Sequence, residues 1–278
     1  MVMPALTSGS LFAQDDDWKE MFNGKNIKDW KKLNGDAGFV VEDGCIKGIS
    51  TLNTPNTFLT TGEEYTNFIL EYEMKMDNDL NSGVQVRSHS LSTFENGRVH
   101  GLQIECDDSE RAWSGGIYDE ARKGWRYPLE YNPAAKSAFK KGEWNKYRVL
   151  ACDNHIITWV NDIPCANLIE ESTETGFIAL QVHSIDNKDL AGRSIRWRNI
   201  RIKQAIPADL ERLGNVTAPE VSYFKNKLTD REKQQGWKLL WDGSTSQGWK
   251  GIKSDRFPGK GWSIQDGNLS VEKSTGSE

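Results

Sequence analysis

Two stretches of this chain carry the same spaced pattern of tryptophan, glycine and aspartate. "WKEMFNGKNIKDWKKLNGDAGFVVEDGCIKGIS" from Trp18 is echoed by "WKLLWDGSTSQGWKGIKSDRFPGKGWSIQDGNLSVEK" from Trp237. Trp18, Gly24 and Trp30 match Trp237, Gly243 and Trp249 at a spacing of 219; after a four-residue insertion, Phe39, Asp43 and Gly44 match Trp262, Asp266 and Gly267 at 223. A spacing this long is domain duplication, not the short period of a solenoid. The repeat divides the 278 residues into a short lead-in (1–17), a first copy (18–203), a linker (204–236) and the opening of a second copy (237–278). The last segment is too short to complete a domain of the first copy's size. It is expected to be incomplete: truncated, docked on the first copy, or poorly ordered.

Within the first copy the signals are those of strands. "FVVEDGCIKGI", "NFILEYEMKM", "SGVQVRSHS", "HGLQIECDD", "KYRVLACDNHIITWVND", "GFIALQVHS" and "SIRWRNIRIK" are alternating or β-rich runs separated by Gly, Asn and Asp. Asp153-Asn154 and Asn161-Asp162 have the composition of tight hairpin turns. Many short strands at hairpin spacing predict an all-β fold, a β-sandwich or jelly roll. One helix is predicted in the linker, where Thr229 to Glu232 is a capping box and Gly236 a stop.

Composition limits the partners. Apolar residues make up 37% and charged residues 27%, as in a globular chain with a core. The net charge is −5, with no basic stripe for phosphates, which argues against nucleic acid. Eleven tryptophans suit both sandwich cores and the flat C–H faces of sugar rings. The uncharged, mildly apolar start, ending Leu11-Phe12-Ala13-Gln14, reads as a signal-peptide remnant or a disordered tail, with cleavage near Ala13 and an exported, periplasmic or cell-surface product. No stretch is long and apolar enough to span a bilayer as a helix. Cys45, Cys106, Cys152 and Cys165 lack the Cys-x-x-Cys spacing of zinc or redox sites and read as small buried hydrophobes in strands.

Side chains at i and i+2 share one face of a strand. If Val84 and Val86 point inward, Gln85 and Arg87 point the other way. The same alternation sets Gln103, Glu105 and Asp107 opposite Leu102, Ile104 and Cys106, and Gln181 and His183 opposite Leu180 and Val182. Three strands then present Gln-x-Arg, Gln-x-Glu and Gln-x-His, a set of amides, an acid, a base and a fixed cation suited to sugar hydroxyls. The stretch Ser109 to Lys136 is too long for a plain hairpin connection and carries Trp113, Tyr118, Trp125 and Tyr127, which predicts a lid or wall with stacking platforms over that face. His89, His100 and His155 fall in or near turns and are set aside. Arg98 and Glu143, also placed in turns, are expected to be neutral.

The opening "FNGKNIKDW" together with "NSGVQVRS", "GEWNKYRV", "IITWVNDIPCANL", "GFIALQVHS" and "IRWRNIRIK" resembles the 3-keto-disaccharide hydrolase domain family over residues 18 to about 203. "LTDREKQQGWKLLWDGSTSQGWKG" resembles the start of another such domain. The resemblance implies a concanavalin-like β-sandwich and a hydrolase or lyase that cleaves glycosides oxidised to a ketone at C3. The ketone acidifies the C2 hydrogen; a base removes it, an enolate forms, the C1 substituent leaves and water adds. On this reading Glu105 or His183 is the base, Arg87 the clamp on the enolate oxygen, and the remaining partner the acid, with Gln85, Gln103, Asp107, Gln181 and the loop aromatics binding substrate. Family members often read Glu then Gln on the central strand, whereas here Gln103 precedes Glu105, which sets the acid one pleat along. A nearby His and Glu would also suit a divalent metal, although their spacing is not diagnostic. Two rival readings are a non-catalytic carbohydrate-binding module and a laminarinase-type retaining glycosidase using Glu105 and Glu110 of Glu-x-Asp-x-x-Glu.

Overall fold

The computed structural model describes residues 17–213 and 216–273. The expected leader, with its cleavage point near Ala13, lies outside the described residues. The described chain forms two compact units: one of residues up to Asn167 together with Thr173–Pro219, the other of Leu168–Ser172 and the residues from Glu220 onward.

The first unit is built of strands in the order β1 (Lys19–Glu20), β2 (Lys31–Asn34), β3 (Gly38–Glu42), β4 (Cys45–Ile49), β5 (Thr57–Tyr65), β6 (Phe68–Met76), β7 (Asn81–His89), β8 (His100–Asp107), β9 (Ile117–Glu120), β10 (Gly124–Tyr127), β11 (Asn145–Cys152), β12 (His155–Val160), β13 (Ile163–Ile169), β14 (Gly176–Val182) and β15 (Ser194–Gln204). They form two sheets, one ordered β10-β9-β8-β7-β14-β5-β2 and the other β13-β12-β11-β6-β15-β4-β3, with β1 on β15. This is the all-β sandwich that the strand pattern predicts. The predicted turns are in place: Cys152 pairs with His155 across Asp153-Asn154. Asn161 and Asp162, with φ of 50° and 63°, join β12 to β13 in the left-handed region that Asn and Asp tolerate.

The core follows from the alternation. Val84 and Val86 of β7, Leu102, Ile104 and Cys106 of β8, and Leu180 and Val182 of β14 are buried, as are Leu70, Tyr72, Met74, Tyr147, Val149 and Trp197 of the other sheet. Tyr72 and Tyr147 stack with ring centroids 5.0 Å apart. All four cysteines are free thiols inside this packing.

The alternation fails at one point, and that failure shapes the site. Register shifts in β7 between Val86 and His89 and in β14 between Phe177 and Ala179 mark a bulge, in which Arg87 takes φ 47°. Two glycines leave room for it. A Cβ on Gly101 would lie 2.3 Å from Ser88 Oγ, and one on Gly176 would lie 2.4 Å from the Arg87 carbonyl carbon. The extra residue turns Arg87 out of the expected row and brings Ser88 to the side of Gln85.

Two α-helices follow β15 in the chain, one in each unit. α1 (Pro207–Arg212) lies in the stretch read as linker, with Pro at its start and the Ile206 N–H donating to Asp209. In the second unit, Leu168–Ile169 pair in parallel with β16 (Val221–Ser222). α2 (Asp230–Gln234) has the predicted capping box, with Glu232 N–H donating to Thr229 Oγ1 at 3.1 Å and Thr229 N–H to Glu232 Oε2 at 2.7 Å. The hairpin β17 (Trp262–Gln265) to β18 (Asn268–Val271) turns on Asp266-Gly267, as β3 to β4 turns on Asp43-Gly44, all four residues having positive φ. No helix among the described residues is long and apolar enough to cross a membrane.

Candidate active site

On the face of β7, β8 and β9 opposite the core lies a cavity of about 340 Å³, lined by Asn56, Asn81, Arg98, Gln103, Glu105, Arg111, Tyr118, Glu120, Trp125 and His183. A second hollow of about 450 Å³ shares Asn56, Arg98 and Glu120 with it and continues over Pro55, Phe58, Asn34 and Asn96. Glu105, His183, Gln103, Tyr118 and Trp125, which sequence alternation and the long loop single out, thus meet in one cavity.

Glu105 is its most unusual group. Its side chain is held on a strand with every residue buried, and it is 3% exposed. Asn81 Nδ2 donates to Oε1 at 2.7 Å, Gln103 Nε2 to Oε2 at 2.9 Å and Arg111 to Oε1 at 3.2 Å. Burial outweighs these donors and pushes the carboxyl up to about 7. The order Gln103 then Glu105 keeps both on one face two residues apart, so the shift of one pleat does not remove the acid from the cavity. The residue opposite Glu105 on β7 is Gly83. A Cβ there would come within 2.6 Å of Gln103 Cγ and 2.9 Å of its Nε2, so the bare backbone is what lets the amide lie across to the carboxylate.

Arg111, which sequence reasoning passed over, is the fixed cation of the cavity. Its Nε donates to Asp107 Oδ2 at 2.8 Å, and its guanidinium carbon lies 4.5 Å from the Trp113 ring centroid and 4.9 Å from that of Trp125. Asp107 and Trp113 therefore hold Arg111 in place and do not line the cavity themselves. Asp107 is kept below the usual carboxylate range because its bonds to Ser109 and Arg111 outweigh its burial.

Across the cavity, Glu120 is 6% exposed, and burial raises its pKa against the pull of Arg98, 3.8 Å away, and of His183. His183 Nδ1 lies 2.7 Å from the Ser184 carbonyl oxygen, which leaves Nε2 as the nitrogen for other partners. The stretch Ser109 to Lys136 is not a simple lid. It contains β9 and β10, which extend the sheet and carry Tyr118, Glu120 and Trp125 to the cavity. The sequence signal for Glu120 was its place two residues after Tyr118 on a strand that reads as loop.

Further expectations are corrected. Arg87 does not reach the cavity: it is 1% exposed and donates to the Thr66 and Asp153 carbonyl oxygens at 2.7 and 2.6 Å and to Asn67 Oδ1 at 3.2 Å. The bulge turns it away. Tyr127 is fully buried, its hydroxyl donating to the Pro219 carbonyl at 2.7 Å, so it is no stacking platform. Arg98, expected to be neutral in a turn, lines both hollows. Glu110 is exposed beyond β8 and outside the cavity lining, so it makes no carboxylate pair with Glu105 there. Gln85 and Gln181 are completely buried and do not line the cavity; the Gln181 amide has no hydrogen-bond partner. Among the described residues, no three His, Cys, Asp or Glu side chains converge as a metal site.

A family model described as a 3-keto-alpha-glucoside-1,2-lyase-like domain matches residues 17–203. A candidate glycosyl hydrolase from Parabacteroides distasonis superposes with a TM-score of 0.50 at 21% identity, over 68% of this chain and 94% of the other. A Bacillus subtilis protein with a galectin-like fold gives 0.47 at 10% identity over 65% and 91%, and a Bacillus subtilis carbohydrate-binding module 0.43 at 10% over 64% and 98%. No curated protein sequence matches this chain.

Proposed function

Because this chain belongs to the 3-keto-alpha-glucoside-1,2-lyase-like domain family, we propose that it cleaves 3-keto glycosides by removing the C2 proton, expelling the C1 substituent and adding water to the resulting alkene. The observation that carries this reading is the pairing of Glu105 with Arg111 at 3.2 Å in one cavity. Abstraction at C2 and charge build-up on the C3 oxygen occur at adjacent substrate atoms, and they call for a base beside a fixed cation. Glu105, ionised above pH about 7, takes the proton. Arg111, held by Asp107 and two tryptophans, faces the developing enolate oxygen and has no reorganisation to make. The Glu120 and His183 pair on the opposite wall protonates the departing C1 oxygen. The adjoining hollow over Phe58 and Pro55 receives the aglycone.

Incubating the protein with a 3-keto glucoside and with its unoxidised parent, with and without chelator, tests the reading. Turnover of the ketone alone is the expected result. Turnover of the parent would point to a plain glycosidase, and binding of both without turnover to a carbohydrate-binding module.

The same chemistry gives a prediction for Gly83. Adding one methyl group in Gly83→Ala pushes the Gln103 amide off Glu105. A displacement of about 1 Å at a reacting group costs on the order of 10²-fold. Steady-state kinetics on the 3-keto glucoside should show this as a fall in kcat, with unchanged far-ultraviolet circular dichroism.

A further inference from the structure

Behind Glu105 runs a file of neutral side chains. Gln103 Nε2 donates to Glu105 Oε2 at 2.9 Å, Gln85 Nε2 donates to Gln103 Oε1 at 2.7 Å, and Ser88 Oγ donates to Gln85 Oε1 at 2.8 Å. Every bond runs in one direction, toward the carboxylate. Gln85 and Ser88 are fully buried and Gln103 is 3% exposed.

This direction suits an ionised Glu105, which only accepts. Once Glu105 takes up a proton, its O–H faces the Gln103 N–H, two donors in contact. In a buried site that clash costs what an unmade hydrogen bond costs. A half-turn of each carboxamide removes it without moving a heavy-atom position. Glu105 then donates to the Gln103 oxygen, Gln103 to the Gln85 oxygen, and Gln85 to Ser88 Oγ. The hydroxyl, which is both donor and acceptor, turns its proton to the Val86 carbonyl, already 3.2 Å away. The bulge at Arg87 makes this terminus, because it places Ser88 three residues from Gln85 on the same side.

We propose that Ser88, Gln85 and Gln103 form a reversible hydrogen-bond chain that inverts as Glu105 gains and loses its proton. Gln85 and Ser88 are then positioning residues, acting through Gln103 and touching no substrate. The inference uses Glu105 as the group that takes the proton in the proposed reaction, but the chain itself is a property of the free protein. The charged and titratable groups facing Glu105 are Arg111 from the turn after β8, Asp107 on β8 and Tyr118 on β9. Arg98, Glu120 and His183 face it from across the cavity. None of them bonds Gln85 or Ser88, so a proton-linked change at Gln85 has the chain as its route.

The test is an NMR titration of the free protein that follows the Glu105 carboxyl carbon and the side-chain amide groups of Gln85 and Gln103. The Gln85 NH₂ signals are expected to move with the same midpoint as Glu105. In Gln103→Met, Glu105 should still titrate while Gln85 falls silent; in Ser88→Ala, the Gln85 response should shrink. A flat Gln85 amide across the Glu105 transition in the parent protein would overturn the proposal, and that result needs no variant to fold. A Gln85 response that survives Gln103→Met would also overturn it, since a through-space field would then be the cause. Co-titration in a protein that turns over no 3-keto glycoside would leave the chain standing and sink the proposed function.

Discussion

Glu105→Gln is expected to lower kcat on a 3-keto glucoside by about two to four powers of ten, the span of a lost general acid or base, and at the same time to make the protein more stable above neutral pH. The two effects have one cause. The carboxyl is raised from 4.5 to about 7 by burial. Between those values the folded protein holds a proton that the unfolded chain has released. Because the native state binds more protons there, stability falls as pH rises through this window, and above about 7 the whole cost of the buried charge is present. Glutamine removes that slope. It also resembles the protonated acid: its oxygen accepts from Asn81 and Arg111, its NH₂ faces Gln103, and the Gln103 amide inverts to receive it. Urea unfolding at pH 5 and pH 8 checks the stability claim, with the gain expected at pH 8 and little change at pH 5. The parent kcat/KM should rise with pH along a limb centred near 7. An active Glu105→Gln variant would assign the base elsewhere, with His183 next in line.

Arg87→Ala should have the opposite signature, a large loss of stability with activity kept in the molecules that fold. The guanidinium is pulled down by burial only to about 10, so it stays charged at neutral pH. Its removal leaves the oxygens of Thr66, Asp153 and Asn67 without this donor and opens a cavity at the bulge. A hydrogen bond to a charged group contributes about 1.5–3 kcal/mol, and three such bonds are lost together with the packing of a fully buried side chain. That is a large share of the roughly 5–15 kcal/mol available to a domain. Arg87→Lys should recover little, because one ammonium cannot span the three acceptors of the planar fork. Denaturant midpoints and kcat per folded molecule separate the outcomes. Unaltered stability with a thousandfold fall in kcat would mean that Arg87 works at the reacting centre after all.

These two residues also mark where local pattern stops being informative. Glu105 lies on β8, whose alternation is unbroken from Leu102 to Cys106, so period two alone sets it opposite the core. Arg87 lies two residues after Gln85 and would share its face in a regular strand. One inserted residue changes the parity, and nothing between Ser82 and Ser90 announces it. The glycines that make room, Gly101 and Gly176, stand on neighbouring strands. Arg98, Arg111 and Glu120 were missed for a related reason. They come from turns and a short edge hairpin, where no periodicity exists to show which way a side chain points.

The amino-acid sequence by itself determined the strands β3, β4, β6, β7, β8, β11, β12, β14 and β15, the two Asn-Asp hairpin turns, the helix cap at Thr229 and the face that Gln103 and Glu105 share. Each depends on contacts between residues a few places apart, and β-branched spacing, Asn-Asp turns and capping side chains act at that range. Tertiary structure alone decided which cation stands beside Glu105, that Glu120 faces His183, and that Arg87 is a buried strut. These depend on strands distant in the chain becoming neighbours, on a bulge changing side-chain parity, and on a shared desolvation that raises a carboxyl only when several elements close over it.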